Sequence, residues 1–152
     1  PVTAVTPTGG TLRYEEGIHI GYRAWLKDAV APAFPFGHGL GYTSWSGGAA
    51  QRDGEAVEGS IANTGDRAGK QVVQVYAERP DSAVERPARW LVGYGVVRAA
   101  AGETVTARIA LPTRRFAHWD GGDWQVEPGA YTLRIGASVA ASHLELDWNI
   151  NA

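Results

Sequence analysis

Along the second two-thirds of the chain, apolar and polar positions alternate in short runs. Leu144, Leu146, Trp148 and Ile150 interleave with His143, Glu145, Asp147 and Asn149, which puts apolar side chains on one face of a strand and polar ones on the other. Val105, Ala107, Ile109 and Leu111 alternate in the same way, as do Tyr131, Leu133 and Ile135. The runs Val57 to Ile61 and Val72 to Tyr76 are rich in β-branched residues but alternate less strictly. Between the runs lie Asn63-Thr64-Gly65-Asp66, Ala101-Gly102-Glu103, Asp120-Gly121-Gly122-Asp123 and Glu127-Pro128-Gly129, residues that accept positive φ or pre-set a turn. About seven or eight strands follow, and with no helical period between them they predict a mainly β, two-sheet antiparallel sandwich, a small closed barrel being the alternative. Prolines at 80 and 87 interrupt the pattern, so Arg79 to Arg89 is expected to be an exposed crossover between sheets. Tyr131 follows a Pro-Gly turn at the start of a late strand. It is either a tyrosine corner, with its hydroxyl turned back onto upstream backbone, or a plain core tyrosine.

Up to about Gly48 the chain is rich in Gly, Pro and aromatics and has neither a helical nor a strand period. The change of pattern between Trp45 and Gly54 divides the chain into an irregular connecting arm, 1–50, and a sandwich, 51–152. Trp45 is expected to close the first strand, and Trp148 to lie in the core. The opening stretch, Pro1 to Leu12, is expected to be an extended strap.

Composition narrows the functions. A chain of 152 residues accommodates one ordinary core plus an appendage. The net charge of −2, with both signs interspersed, gives no footprint for a nucleic acid or an anionic membrane. No apolar run approaches the roughly 18 residues that would span a bilayer. Absence of cysteine excludes a disulfide framework, a thiolate zinc site and a cysteine nucleophile. It leaves the compartment open, bacterial cytoplasm or secretion. Met is absent as well and the chain opens on Pro1, so it is expected to be an excised or processed piece.

Three stretches carry a resemblance. Tyr14-Glu15-Glu16-Gly17-Ile18-His19-Ile20-Gly21-Tyr22-Arg23 is followed by Phe34-Pro35-Phe36-Gly37-His38-Gly39-Leu40-Gly41-Tyr42-Thr43, then by Asn63-Thr64-Gly65-Asp66-Arg67-Ala68-Gly69-Lys70 and Val72-Val73-Gln74-Val75-Tyr76. In this order they resemble the C-terminal part of the family-three glycoside hydrolases, β-glucosidases and their relatives, with Gly41 standing where a serine is usual. Leu91-Val92-Gly93-Tyr94 and Val126 to Tyr131 continue the match. The resemblance implies an immunoglobulin/fibronectin type III-like β-sandwich preceded by an arm that belongs to an α/β sandwich domain. It also implies partners, namely the catalytic barrel and α/β domains of the same enzyme, and terminal β-glycosides as the substrates of the whole.

Retaining glycosidases use two carboxyl groups about 5 Å apart. In the family resembled, the nucleophile is an aspartate of the barrel and the acid/base a glutamate earlier in the α/β domain, and neither motif matches a position here. The chain alone is therefore expected to be non-catalytic. Asp147-Trp148 superficially resembles the nucleophile's dipeptide, but alternation puts Asp147 on the solvent face. Glu15 and Glu16 are adjacent, and neighbouring side chains diverge, so they read as a helix start or a charged surface. The spacing of His19, His38, His118 and His143 fits no metal site, and Asp120 and Asp123 read as a solvated hairpin tip rather than a calcium loop. No cofactor is expected. Through the resemblance, Tyr22, Arg23 and Trp25 are the candidates for substrate proximity. A different class of function, a carbohydrate- or polymer-binding module, would use Trp119 and Trp124, which flank the hairpin tip and could instead simply pack against each other. Phe34 and Phe36 are expected to anchor the connector in an apolar groove, with Gly37, Gly39 and Gly41 permitting tight turns.

Overall fold

The computed structural model describes residues 5–151. One short helix, α1 (Tyr22–Lys27), precedes nine strands: β1 (Trp45–Asp53), β2 (Ala56–Asn63), β3 (Gly69–Glu78), β4 (Trp90–Ala99), β5 (Thr104–Ala110), β6 (His118–Trp119), β7 (Trp124–Gln125), β8 (Gly129–Gly136) and β9 (Ser142–Ile150). They form a three-stranded sheet, β1-β2-β5, a four-stranded sheet, β4-β3-β8-β9, and a small ribbon, β6-β7. All pairings are antiparallel. The sandwich, not the barrel, is the outcome.

Alternation placed the core correctly where one face meets water. Ala107, Ile109 and Leu111 face inward, as do Tyr131, Leu133 and Ile135, and they meet Val57, Val75 and Trp148 between the sheets. Asp147 is exposed and Trp148 buried. In β3, by contrast, every residue from Val73 to Ala77 is buried. The arm explains this: it lies across the outer side of β3, so both faces of the strand are covered and the alternation of a half-solvated strand has no reason to appear.

Three expectations change. Trp45 opens β1 and does not close a strand, since its pairing with Asn63 starts the β1–β2 ladder. The first strand thus spans the division between residues 50 and 51. Arg79 to Arg89 joins β3 to β4, which are neighbours in one sheet, so it is no crossover. Nor is it simply exposed: the Arg79 and Arg86 side chains are 10% and 6% accessible, drawn inward by Glu127. The strap, where described, contains a tight turn in which Thr8 and Thr11 exchange backbone hydrogen bonds around Gly9 and Gly10; residues 1–4 lie outside the described residues.

Tyr131 is a tyrosine corner. Its hydroxyl donates to the Glu127 carbonyl at 2.6 Å, fixing the turn into β8. Arg79 donates to the same carbonyl at 3.0 Å. Tyr131→Phe therefore leaves the acceptor partnered and is expected to cost only about 1 kcal/mol in chemical denaturation.

Asn63, read from sequence as a turn residue, has a larger part. Its buried amide accepts from the Thr43 hydroxyl at 2.7 Å and the Gly65 N–H at 3.1 Å, and donates to the carbonyls of Arg67 at 2.7 Å and Ala99 at 3.2 Å. The amide is fully satisfied. It ties the end of the arm to the β2–β3 loop and to the end of β4. Among the described residues no helix is long and apolar enough to cross a membrane.

Candidate functional site

The arm stacks two of its own rings and meets the sandwich edge-on. Tyr22, the first residue of α1, lies 4.6 Å from Phe36 between ring centroids, with planes 18° apart, and meets the Tyr76 ring edge-on at 6.2 Å. The Leu91 N–H donates to its hydroxyl at 2.9 Å. Tyr76 in turn donates to Gln74 Oε1, and Gln74 Nε2 donates to the Ala137 carbonyl at 2.9 Å. Burial, followed by the neighbouring Tyr22, pushes the Tyr76 hydroxyl well above the usual tyrosine range, so it remains a hydrogen-bond donor. A second backbone tie runs from the Val139 N–H to the Phe36 carbonyl at 3.0 Å.

Gly37 is required at this contact. Its φ of +90° lies in the region that favours glycine, and a Cβ there would stand 2.3 Å from Gln74 Nε2. Gln74 cannot swing aside without losing its bonds to Ala137 and Tyr76. Only one of the two phenylalanines anchors the connector, however. Phe34 is 73% exposed and touches only His38 among the aromatic rings, 5.1 Å away. Among the described residues no apolar groove encloses it.

The three residues proposed for substrate proximity share α1 but differ in environment. Tyr22 is held by β4 and Phe36. Arg23 makes a long 3.4 Å hydrogen bond to the Ile18 carbonyl and stands 5.9 Å from the Tyr22 ring. Trp25 is half-buried on the same helix. His19 adds a second link to the sandwich, 2.9 Å from Glu85 in the β3–β4 connection. Beyond these ties the arm leaves Tyr14, Ile20, Leu40 and Tyr42 exposed.

Trp119 and Trp124 face each other across the β6–β7 ribbon. Their rings are 5.5 Å apart at 69°, edge to face, and they are 55% and 46% exposed. The Arg114 guanidinium lies 3.9 Å over the Trp124 ring, a cation–π contact that occupies one of its faces. The pair therefore packs against itself and still presents indole surface. Asp120 and Asp123 sit at the tip, where the Asp123 carboxylate accepts from the Trp124 N–H. Among the described residues no three His, Cys, Asp or Glu side chains are grouped to hold a metal ion.

The three-on-four arrangement with a tyrosine corner defines a fibronectin type III-like sandwich, and residues 71–139 match the model of the fibronectin type III-like domain. The chain is 40% identical over 139 residues to a β-glucosidase of Rhizobium radiobacter, an alignment covering 86% of this chain and 17% of that protein. It is 35% identical to the thermostable β-glucosidase B of Acetivibrio thermocellus, covering 84% of this chain and 18% of the relative. Among solved structures, a Streptomyces venezuelae β-glucosidase in complex with D-glucose superposes with a TM-score of 0.89 at 36% identity, over 95% of this chain and 20% of that one. The chain thus spans less than a fifth of the length of these curated relatives. It belongs to the family-three glycoside hydrolases, as an accessory C-terminal portion that carries their fibronectin type III-like domain.

Proposed function

We propose that this chain is the scaffolding part of a retaining, β-glucosidase-like enzyme that hydrolyses terminal β-glycosides, the two catalytic carboxyl groups being supplied by the barrel and α/β domains of the same enzyme. The observation that carries the reading is the clamped arm. One side of the Tyr22 segment is fixed to β3 by the edge-on Tyr76 ring and to β4 by the Leu91 N–H, which donates to the Tyr22 hydroxyl, while Tyr14, Ile20, Leu40 and Tyr42 are exposed. Such an arm suits a splice between two domains: the sandwich holds it from one side, and the arm completes the α/β domain on the other. In this arrangement Tyr22 positions the segment, and Arg23 and Trp25 are the residues left to approach a substrate. Incubated with an aryl β-glucoside, the purified chain is expected to give no turnover above a variant control; genuine turnover overturns the assignment.

A second reading rests on the exposure of Trp119 and Trp124. Indole surface at a ribbon tip suits contact with a polysaccharide, which would tether the enzyme to a polymer. Retention on insoluble glucan that disappears when both tryptophans are replaced by alanine supports it. Absent retention, or retention unchanged in the double variant, eliminates it.

A further inference from the structure

A cleft of about 410 Å³ opens between the arm and the β3–β4 connection. His19 and Lys27 line it from the arm, and Glu78, Arg79 and Arg86 from the sandwich; its other lining residues are uncharged. The cations are not all committed. Glu78 is held by Arg89 and Arg134, which donate to one carboxylate oxygen each, and neither arginine lines the cleft. Glu127 serves both Arg79 and Arg86. Lys27 is exposed and, among the described residues, in no ion pair. The charge on Glu78 being offset from outside the cleft, three cationic side chains face it with one buried carboxylate, Glu127, between two of them.

Two buried atoms of the same lining lack partners among the described residues. The Arg79 Nε–H donates to nothing: Asp81 Oδ1 stands 3.9 Å away, beyond hydrogen-bond reach, on a side chain that is exposed to water. His19 Nδ1 is also buried and unpartnered, while its Nε2 lies 2.9 Å from Glu85. Facing a carboxylate, Nε2 carries a proton, so Nδ1 is an acceptor in the neutral ring. Buried polar atoms without partners are rare in native folds, and here two of them line one cleft with an unpaired ammonium. An apolar ligand would leave all three as they are. A cation would meet Lys27, Arg79 and Arg86. A small oxyanion supplies acceptors to the ammonium and to the guanidinium N–H in charge-assisted bonds, and a protonated one, such as hydrogen phosphate, also brings an O–H for His19.

We propose that this cleft binds a small oxyanion, which bridges Lys27 at the end of α1 to Arg79 of the β3–β4 connection. Bound there, the anion adds a fastening between arm and sandwich to those made by Tyr22 and Phe36. The site is independent of the hydrolase reading, because every group that forms it belongs to this chain and none is a catalytic carboxylate.

The test is a titration of the ¹⁵N-labelled chain at neutral pH with sodium phosphate, with sodium acetate, and with sodium chloride at matched ionic strength. The Arg79 Nε–H resonance, identified by its loss in Arg79→Lys, is expected to shift saturably with phosphate in the millimolar range. The backbone amides of His19 and Lys27 move with it. Chloride gives no saturation, since it acts only by screening. Lys27→Gln changes an exposed side chain, keeps the fold and weakens phosphate binding about fivefold, and Lys27→Arg restores it. Phosphate bound more tightly than acetate supports the contact with His19; an equal or reversed order makes a carboxylate the oxyanion of the same cleft. An Arg79 resonance that saturates with neither, a chloride response equal to that of phosphate, or undiminished binding by Lys27→Gln each overturns the proposal.

Discussion

Phe116→Ala is expected to lower the stability of the chain by about 3–5 kcal/mol, with a Tm reduced by roughly 6–20 °C. Phe116 is fully buried. It is delivered to the core by a 3₁₀ turn, Thr113–Phe116, just after β5. Its ring lies parallel to Trp148 at 6.3 Å, with planes 7° apart, and meets the Tyr131 ring at 5.2 Å and 69°. Removing it takes apolar area out of the core and leaves a cavity beside two rings that are themselves fixed, Tyr131 by its corner hydrogen bond and Trp148 by Arg52, whose guanidinium lies 4.0 Å over the indole. Neighbours so held cannot collapse into the gap, which puts the cost at the upper end for core truncations. Denaturant unfolding measures it directly, and a loss below about 1 kcal/mol would mean that the turn does not seal the core.

The second large effect concerns Glu127. Its carboxylate accepts from the Ser82 hydroxyl at 2.7 Å and the Ala83 N–H at 2.8 Å, and stands 3.4 Å from Arg79 and 3.3 Å from Arg86. Glu127→Ala strands two nearly buried guanidinium groups, and breaking such a cluster from one side is expected to cost about 3 kcal/mol or more. The same group sets an acid response. Burial alone would raise the carboxyl, but the Ala83 N–H, the Ser82 hydroxyl, Arg79 and Arg86 outweigh it and hold it at about 2, against an ordinary 4.5. A depressed carboxyl stabilises the fold fully above its unfolded value, and that contribution is lost as pH falls through the folded value. The parent chain is therefore expected to lose stability progressively from about pH 4.5 towards pH 2. Glu127→Gln is less stable at neutral pH and shows a shallower decline over that interval. Equal slopes in the two proteins would remove Glu127 from the acid response.

What the sequence made legible follows one physical line. Where a strand has one face in the core and one in water, the two-residue period writes that fact into the residues, as in β5, β8 and β9. Val73 to Ala77 obscured the period because the arm covers the outer face, and nothing local to β3 announces a cover supplied from far upstream, as by Tyr22 on Tyr76. Phe116 carried no periodic signal at all, since it sits in a single turn. The arginines of the β3–β4 connection looked solvent-facing because Glu127, their partner, is distant in sequence. A buried ion pair is invisible until both ends are placed.

The candidate sites divide in the same way. Tyr22, Arg23 and Trp25 were singled out by the ordered motifs around them, yet only the tertiary structure separates Tyr22, committed to Phe36 and Leu91, from its two neighbours. Trp119 and Trp124 were placed at a hairpin tip by the Asp-Gly-Gly-Asp turn between them, and the edge-to-face pairing and the covering Arg114 required coordinates. The surroundings of Gly41 show the same limit, because Trp45 and Gln71, which stand 3.8 and 3.9 Å from a Cβ built there, arrive from two different sheets. By itself the sequence determined the sandwich, through alternation and turn chemistry, and the family, through motifs in order. The long-range pairings, arm to β3 and Glu127 to its arginines, were decided only by the tertiary structure, because each joins groups whose separation along the chain bears no relation to their separation in space.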